Sequence, residues 1–166
     1  MNRNCDGIIV IAEDQRLRAV AVGFFSNNLD MSQNIYIDKY QKGWPKVKDR
    51  IPKCNATLKQ YPKLRIVLII DFDGKKNRYD YFMKDVDQDV KDRLFILGPL
   101  HNVEQLKKCC NAPTFEQLGH LLREDCLNKD SAFNIWNCPE LSDFKEEIKR
   151  ICENVKDFLW TREFLL

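Results

Sequence analysis

No stretch of this 166-residue chain approaches the roughly 18 consecutive apolar residues that a membrane-spanning helix needs. The first residues, Met1-Asn2-Arg3-Asn4-Cys5-Asp6, lack the basic region, apolar run and small-residue cleavage site of a secretory leader. A cytoplasmic protein with no membrane partner is therefore expected. Seven cysteines are present, but no Cys-x-x-Cys pair occurs, and neither His101 nor His120 stands at zinc-finger spacing from two of them. That pattern argues against a structural zinc and reads as reduced, partly buried thiols. Cys109 and Cys110 are adjacent, and on a helix neighbours point in different directions, a poor arrangement for a redox pair. Internal repeats, low-complexity tracts and Pro- or Gly-rich linkers are also missing, so a single domain is expected.

What the chain does have is an alternation of strand-like and helix-like segments. Residues 7–12 are a short apolar run opened by Gly7. Residues 34–38 alternate, 65–70 are β-branched apart from Leu68 and the leading Arg65, and 93–97 are mostly apolar before Gly98-Pro99. Helical spacing predicts helices over 14–27, 77–90, 103–110 and 141–160. Gly43-Trp44-Pro45 reads as a helix start, and Pro52 and Pro62 break up the basic segment after it. Thr114-Phe115-Glu116-Gln117 carries a capping signal for a further helix. This order predicts an α/β fold: a four-stranded, mostly parallel sheet flanked by helices over 1–112, with a helical extension over 113–166 packed on that core.

Two acidic clusters directly follow two of the strands. Ile8-Ile9-Val10-Ile11-Ala12 runs into Glu13-Asp14, and Ile66-Val67-Leu68-Ile69-Ile70 runs into Asp71-Phe72-Asp73-Gly74. In a parallel sheet both would lie at the carboxyl ends of strands, where such folds place ligands. Carboxylates gathered there repel one another unless a hard divalent cation sits among them. A glutamate after the first strand and an Asp-x-Asp after the third resemble the Toprim domain family, the metal-binding module of topoisomerases, primases and a group of nucleases. The resemblance covers about residues 7–110. It implies Mg²⁺ or Mn²⁺ held by Glu13, Asp71 and Asp73, with Glu13 as a further ligand or a general base, and nuclease-type phosphodiester hydrolysis. A chain of this size lacks room for topoisomerase or primase partner domains, and is similar to small stand-alone Toprim-like proteins.

Other readings use the same residues. Asp71-Phe72-Asp73-Gly74-Lys75 is similar to the first motif of HAD phosphatases, with Lys75 where those have Thr, but no second acidic pair follows residues 93–97. Glu13-Asp14 and Asp71 match the acidic pair and acceptor of a phosphoacceptor receiver, but Gly98-Pro99-Leu100 stands where a Ser or Thr is needed. A non-catalytic scaffold is the reading from another class, its acids capping helix N-termini and its tail, Trp160 with Phe164, Leu165 and Leu166, docking a protein partner or a second copy. Asp14 reads as an assistant or a cap, and Glu104 as a weaker rim candidate.

Charge distribution favours a nucleic-acid partner. Between Lys39 and Arg65 lie nine basic residues and the single acid Asp49, a local charge of +8 in a chain of net charge +2. Such a run would steer phosphates towards the carboxylates despite their repulsion. Lys42, Lys46, Lys48 and Arg50 from this segment, with Lys75, Lys76 and Arg78 beside the Asp pair, are the expected nucleic-acid contacts. Tyr40, Trp44 and Tyr61 are interleaved and would either stack on bases or pack inward.

Overall fold

Three of the apolar runs form strands that are mostly buried on both faces, the environment that suits continuous Ile, Val and Leu, while the alternating run at 35–37 is a half-buried edge strand with Tyr36 exposed. In the computed structural model, which describes residues 6–29, 34–127 and 135–159, these are β1 (Gly7–Ala12), β2 (Ile35–Ile37), β3 (Leu64–Ile69) and β4 (Leu94–Leu97). They pair in the order β2-β1-β3-β4, every neighbour parallel. The helices are α1 (Gln15–Leu29), α2 (Trp44–Lys48), α3 (Ile51–Gln60), α4 (Arg78–Met83), α5 (Val103–Cys109), α6 (Phe115–Leu127) and α7 (Lys145–Leu159). The expected α/β sheet flanked by helices is therefore the fold, with α6 and α7 packed on it.

Alternation along the strands divides the core. Ile8, Val10, Val67 and Phe95 pack with Ala21 and Phe25 of α1 and with Ile151 and Val155 of α7. Ile66, Leu68, Leu94 and Ile96 meet Val47, Ile51 and Leu58 from α2 and α3, and Phe82 from α4. The edge beyond β4 is closed by side chains of α7. The Ile96 N–H donates to Glu147 Oε1 at 2.8 Å, and Arg150 Nη2 donates to the Leu94 carbonyl at 2.7 Å. An edge strand otherwise presents such groups to solvent or to another chain.

Two expected helices are interrupted. The pattern over 77–90 predicts one helix, yet α4 ends at Met83 and a 3₁₀ turn covers Gln88–Arg93. Buried Asn55 of α3 is the reason: its side-chain amide donates to the Asp85 carbonyl at 3.0 Å and its oxygen accepts from the Asp87 N–H at 3.3 Å. Those bonds replace helical ones and turn Val86 and Val90 into the core. Likewise Ser142–Phe144 is a 3₁₀ turn preceding α7. A further correction concerns the thiols: Cys109 and Cys138 are joined as a disulfide, with Cα atoms 6.6 Å apart, where seven reduced cysteines were expected. The fold brings α5 and the 138–141 segment side by side, which no spacing rule anticipates. The apolar tail from Trp160 lies outside the described residues.

Candidate functional site

The strand order reverses between β1 and β3, since the chain leaves β1 for β2 on one side and returns to β3 on the other. Ligands in open parallel sheets bind beyond the carboxyl ends of the strands at such a reversal. Glu13 and Asp71 stand there. Ala12 is in register with Ile69, and the ladder continues one step as the Glu13 N–H donates to the Ile69 carbonyl at 2.9 Å.

The segment after β3 is held against the segment after β4. The Ile70, Phe72 and Gly74 N–H groups donate to the Leu97, Pro99 and Leu100 carbonyls at 3.0, 3.0 and 2.7 Å. Phe72 is fully buried, its ring centroid 4.2 Å from that of Phe144. Asp73 then adopts a left-handed conformation, φ 50°, and Lys42 in the loop before α2 does so too, φ 63°. That loop also meets the site, because the Gln41 and Gly43 N–H groups donate to the Ala12 and Glu13 carbonyls. Left-handed non-glycine backbone on both loops beside the carboxylates is a feature of functional sites.

Within this frame the three predicted carboxylates sit close together but have different partners. Glu13 Oε2 accepts the Asp71 N–H at 2.9 Å. Burial raises its pKa, opposed by the hydrogen bonds from the Asp71 and Trp44 backbone. Asp73 is paired with Arg78 at 2.8 Å. Asp71 is 8% exposed, and its Oδ1 has no hydrogen-bond partner. Burial first, then the charges of Glu13 and Asp14, push its pKa up to about 7. Among the described residues no three such side chains converge at metal-ligand geometry.

The second acid of the first cluster caps a helix. Asp14 Oδ1 accepts the Leu17 N–H at 2.9 Å at the start of α1. Arg16 joins it to Glu104 at the start of α5, with contacts of 2.7 and 2.5 Å, so Glu104 does lie on the same rim.

The expected nucleic-acid contacts separate into two groups. Arg78 is buried: Nη1 donates to the Asp71 carbonyl at 2.5 Å, and its guanidinium lies 4.7 Å from the Trp44 ring centroid. It clamps the Asp71–Asp73 loop from within. Lys48 pairs with Asp85 and lies over Tyr81, Arg50 pairs with Asp38 at 2.9 Å, and Lys76 pairs with Asp143 at 2.7 Å. Lys46 makes only a 3.7 Å contact with Asp49. Lys42 and Lys75 are exposed and form no ion pair among the described residues. Both belong to the loops that flank the carboxylates. Much of the +8 segment is thus neutralised by acids from elsewhere in the fold, Lys59 by Asp87 and Arg65 by Asp6 included. Trp44 and Tyr61 pack against the core, while Tyr40 remains 40% exposed.

Sequence reasoning missed one more group at this rim. His101 Nδ1 lies 2.9 Å from Glu140 Oε1, and the His101 N–H donates to Glu140 Oε2 at 2.8 Å. A Cβ placed on Gly74 would lie 3.7 Å from His101 Cδ2, so the ring edges the Asp73-Gly74 turn. His101 comes just after a strand; Glu140 carries no sequence signal.

Fold and site together define an all-parallel α/β protein with carboxylates gathered at the reversal point of its sheet. No protein-family model, curated protein or solved structure matches the chain.

Proposed function

We propose that this protein hydrolyses phosphodiesters in nucleic acid with Mg²⁺ or Mn²⁺ bound at Asp71. The observation that carries the reading is the orphaned Oδ1 of Asp71, a buried carboxylate oxygen crowded by the charges of Glu13, Asp14 and Asp73. Among the described residues only the Arg16 charge opposes that crowding and no donor reaches Oδ1, whereas a hard cation would satisfy it. Mg²⁺ retains several waters and commonly uses only one or two carboxylates. Asp71 would therefore anchor it, with Asp73 and Glu13 reached directly or through water. When bound, the ion would stabilise charge on the transferring phosphoryl group. Lys42 and Lys75 are placed to draw phosphates to the rim, and Arg78 holds the loop geometry. The order of Glu13 and Asp71-Phe72-Asp73 along a parallel sheet supports a Toprim-like assignment.

A structural reading competes, favoured by the hydrogen bonds of Glu13 and Asp14 to backbone N–H groups. In that reading the acids only cap, and the protein is a scaffold. Calorimetric titration of Mn²⁺ and Mg²⁺ into wild type and Asp71→Asn separates the two, followed by cleavage assays on single- and double-stranded substrates. Binding that the variant loses is expected. Equal heats from both proteins, or none from either with oligonucleotide present, would sink the cation site.

A further inference from the structure

We propose that His101 is the proton-transfer residue of this site and that Glu140 is its positioning residue; the inference rests on the phosphodiester reading above.

Residue 140 grips the segment after β4 at three points. Its carbonyl accepts the Leu100 N–H at 2.8 Å, and its carboxylate accepts the His101 N–H at 2.8 Å and faces Nδ1 at 2.9 Å. Glu140 is 7% exposed, so this carboxylate is committed to His101 and shielded from water. A carboxylate on Nδ1 fixes the tautomer, placing the proton on Nδ1 and the lone pair on Nε2. The His101 side chain is 52% exposed, leaving that lone pair accessible. Its Cδ2–Nε2 edge lies against Gly74, the residue after Asp73. The segment bearing Glu140 is itself tethered, because Cys138 is bonded to Cys109 of α5 and the Leu141 N–H donates to the Cys138 carbonyl at 2.8 Å.

The chemistry needs such a group. Glu13, the base the sequence suggests, already accepts backbone N–H groups, and Asp73 is paired with Arg78. With Asp71 given to the cation, His101 Nε2 is a basic atom at this rim that makes no hydrogen bond among the described residues. In hydrolysis it takes a proton from water as the water oxygen bonds to phosphorus. The bond from phosphorus to the leaving oxygen breaks on the opposite side, that oxygen takes a proton from a solvent water, and Nε2 returns its proton to the hydroxide so formed. One water is consumed and the imidazole is restored.

The test uses the whole protein with Mn²⁺ and a fluorescent oligonucleotide, comparing wild type, Asp71→Asn, His101→Ala and Glu140→Gln. We expect Asp71→Asn to abolish cleavage. His101→Ala should lower kcat by about 10²–10⁴-fold with KM within about 2-fold, and added imidazole should restore part of the rate. Glu140→Gln should lower kcat less, and long-range ¹H–¹⁵N spectra of the metal-free protein should show His101 losing its Nδ1–H tautomer. If Asp71→Asn is dead while His101→Ala keeps the wild-type kcat, His101 is overturned and the phosphodiester reading stands. An unchanged tautomer in Glu140→Gln overturns the positioning role. A wild type inert with both metals on DNA and RNA overturns both readings together.

Discussion

Asp71 has the least satisfied side chain of the site, and its burial sets a pH dependence. Its folded pKa, pushed up to about 7, lies above its value in the unfolded chain. The folded state therefore binds the proton more tightly. The stabilisation from this group is complete below the unfolded pKa near 4 and is lost as pH rises through about 7. In chelator, wild type should lose about 2 kcal/mol between pH 5 and 8 from this group, after allowance for solvent screening, and Asp71→Asn should not. Urea melts at the two pH values check this; parallel curves for both proteins would contradict it. Arg78 acts in the opposite sense, as the buried donor that closes the loop. Arg78→Ala should cost about 2 kcal/mol from its bonds to Asp71 and Asp73 and its stacking on Trp44, with Arg78→Lys recovering little.

The crossing of α1 and α6 and the flank of β4 control the frame around those carboxylates. A Cβ on Gly23 would stand 1.9 Å from the Glu116 carbonyl oxygen, and one on Gly119 2.1 Å from the Val20 carbonyl oxygen. Alanine gains about 1 kcal/mol of helix propensity over glycine, but forcing two backbones apart costs about 2–3 kcal/mol. Gly23→Ala should accordingly be destabilising in thermal melts, the reverse of what an isolated helix would show. On the far side, Glu147 bonds to the Ile96 N–H and to Arg150, while burial and the Glu147 charge raise the Tyr79 pKa to about 12. Glu147→Ala should cost about 3 kcal/mol by leaving the β4 amide without its acceptor and Arg150 without its carboxylate partner. Hydrogen exchange at Ile96 should rise in that variant, and Glu147→Gln should keep most of the protection.

For the whole molecule, the disulfide and the charge distribution matter most. The Cys109–Cys138 bond closes a loop over a sequence separation of 29. Its loss in Cys109→Ser or under reductant should lower stability by about 3 kcal/mol, seen as a lower Tm. Basic residues dominate the sequence between 39 and 65, yet the folded chain draws Asp6, Asp38, Asp85 and Asp87 onto them. Lys42 and Lys75 keep their charge at the rim. Single-stranded oligonucleotide binding should therefore weaken with salt, and Lys42→Ala/Lys75→Ala should reduce the log–log slope by about 1.4. An unchanged slope would place the nucleic-acid surface elsewhere.

Four strands, a mostly parallel sheet and the position of Glu13, Asp14, Asp71 and Asp73 at strand ends were legible in the sequence, whereas the strand order was not. Those properties come from hydrophobic runs and local spacing, which act over a few residues. Which carboxylate is free follows from long-range packing, because that depends on partners brought in from other segments. The Asp71 N–H occupies Glu13, Arg78 occupies Asp73, and among the described carboxylates Asp71 Oδ1 is the buried oxygen left without a hydrogen-bond partner. Long-range packing likewise stopped α4 at Asn55's hydrogen bonds and set Glu140 against His101. Local pattern writes the elements, but burial and hydrogen-bond competition between distant segments assign each polar side chain its role.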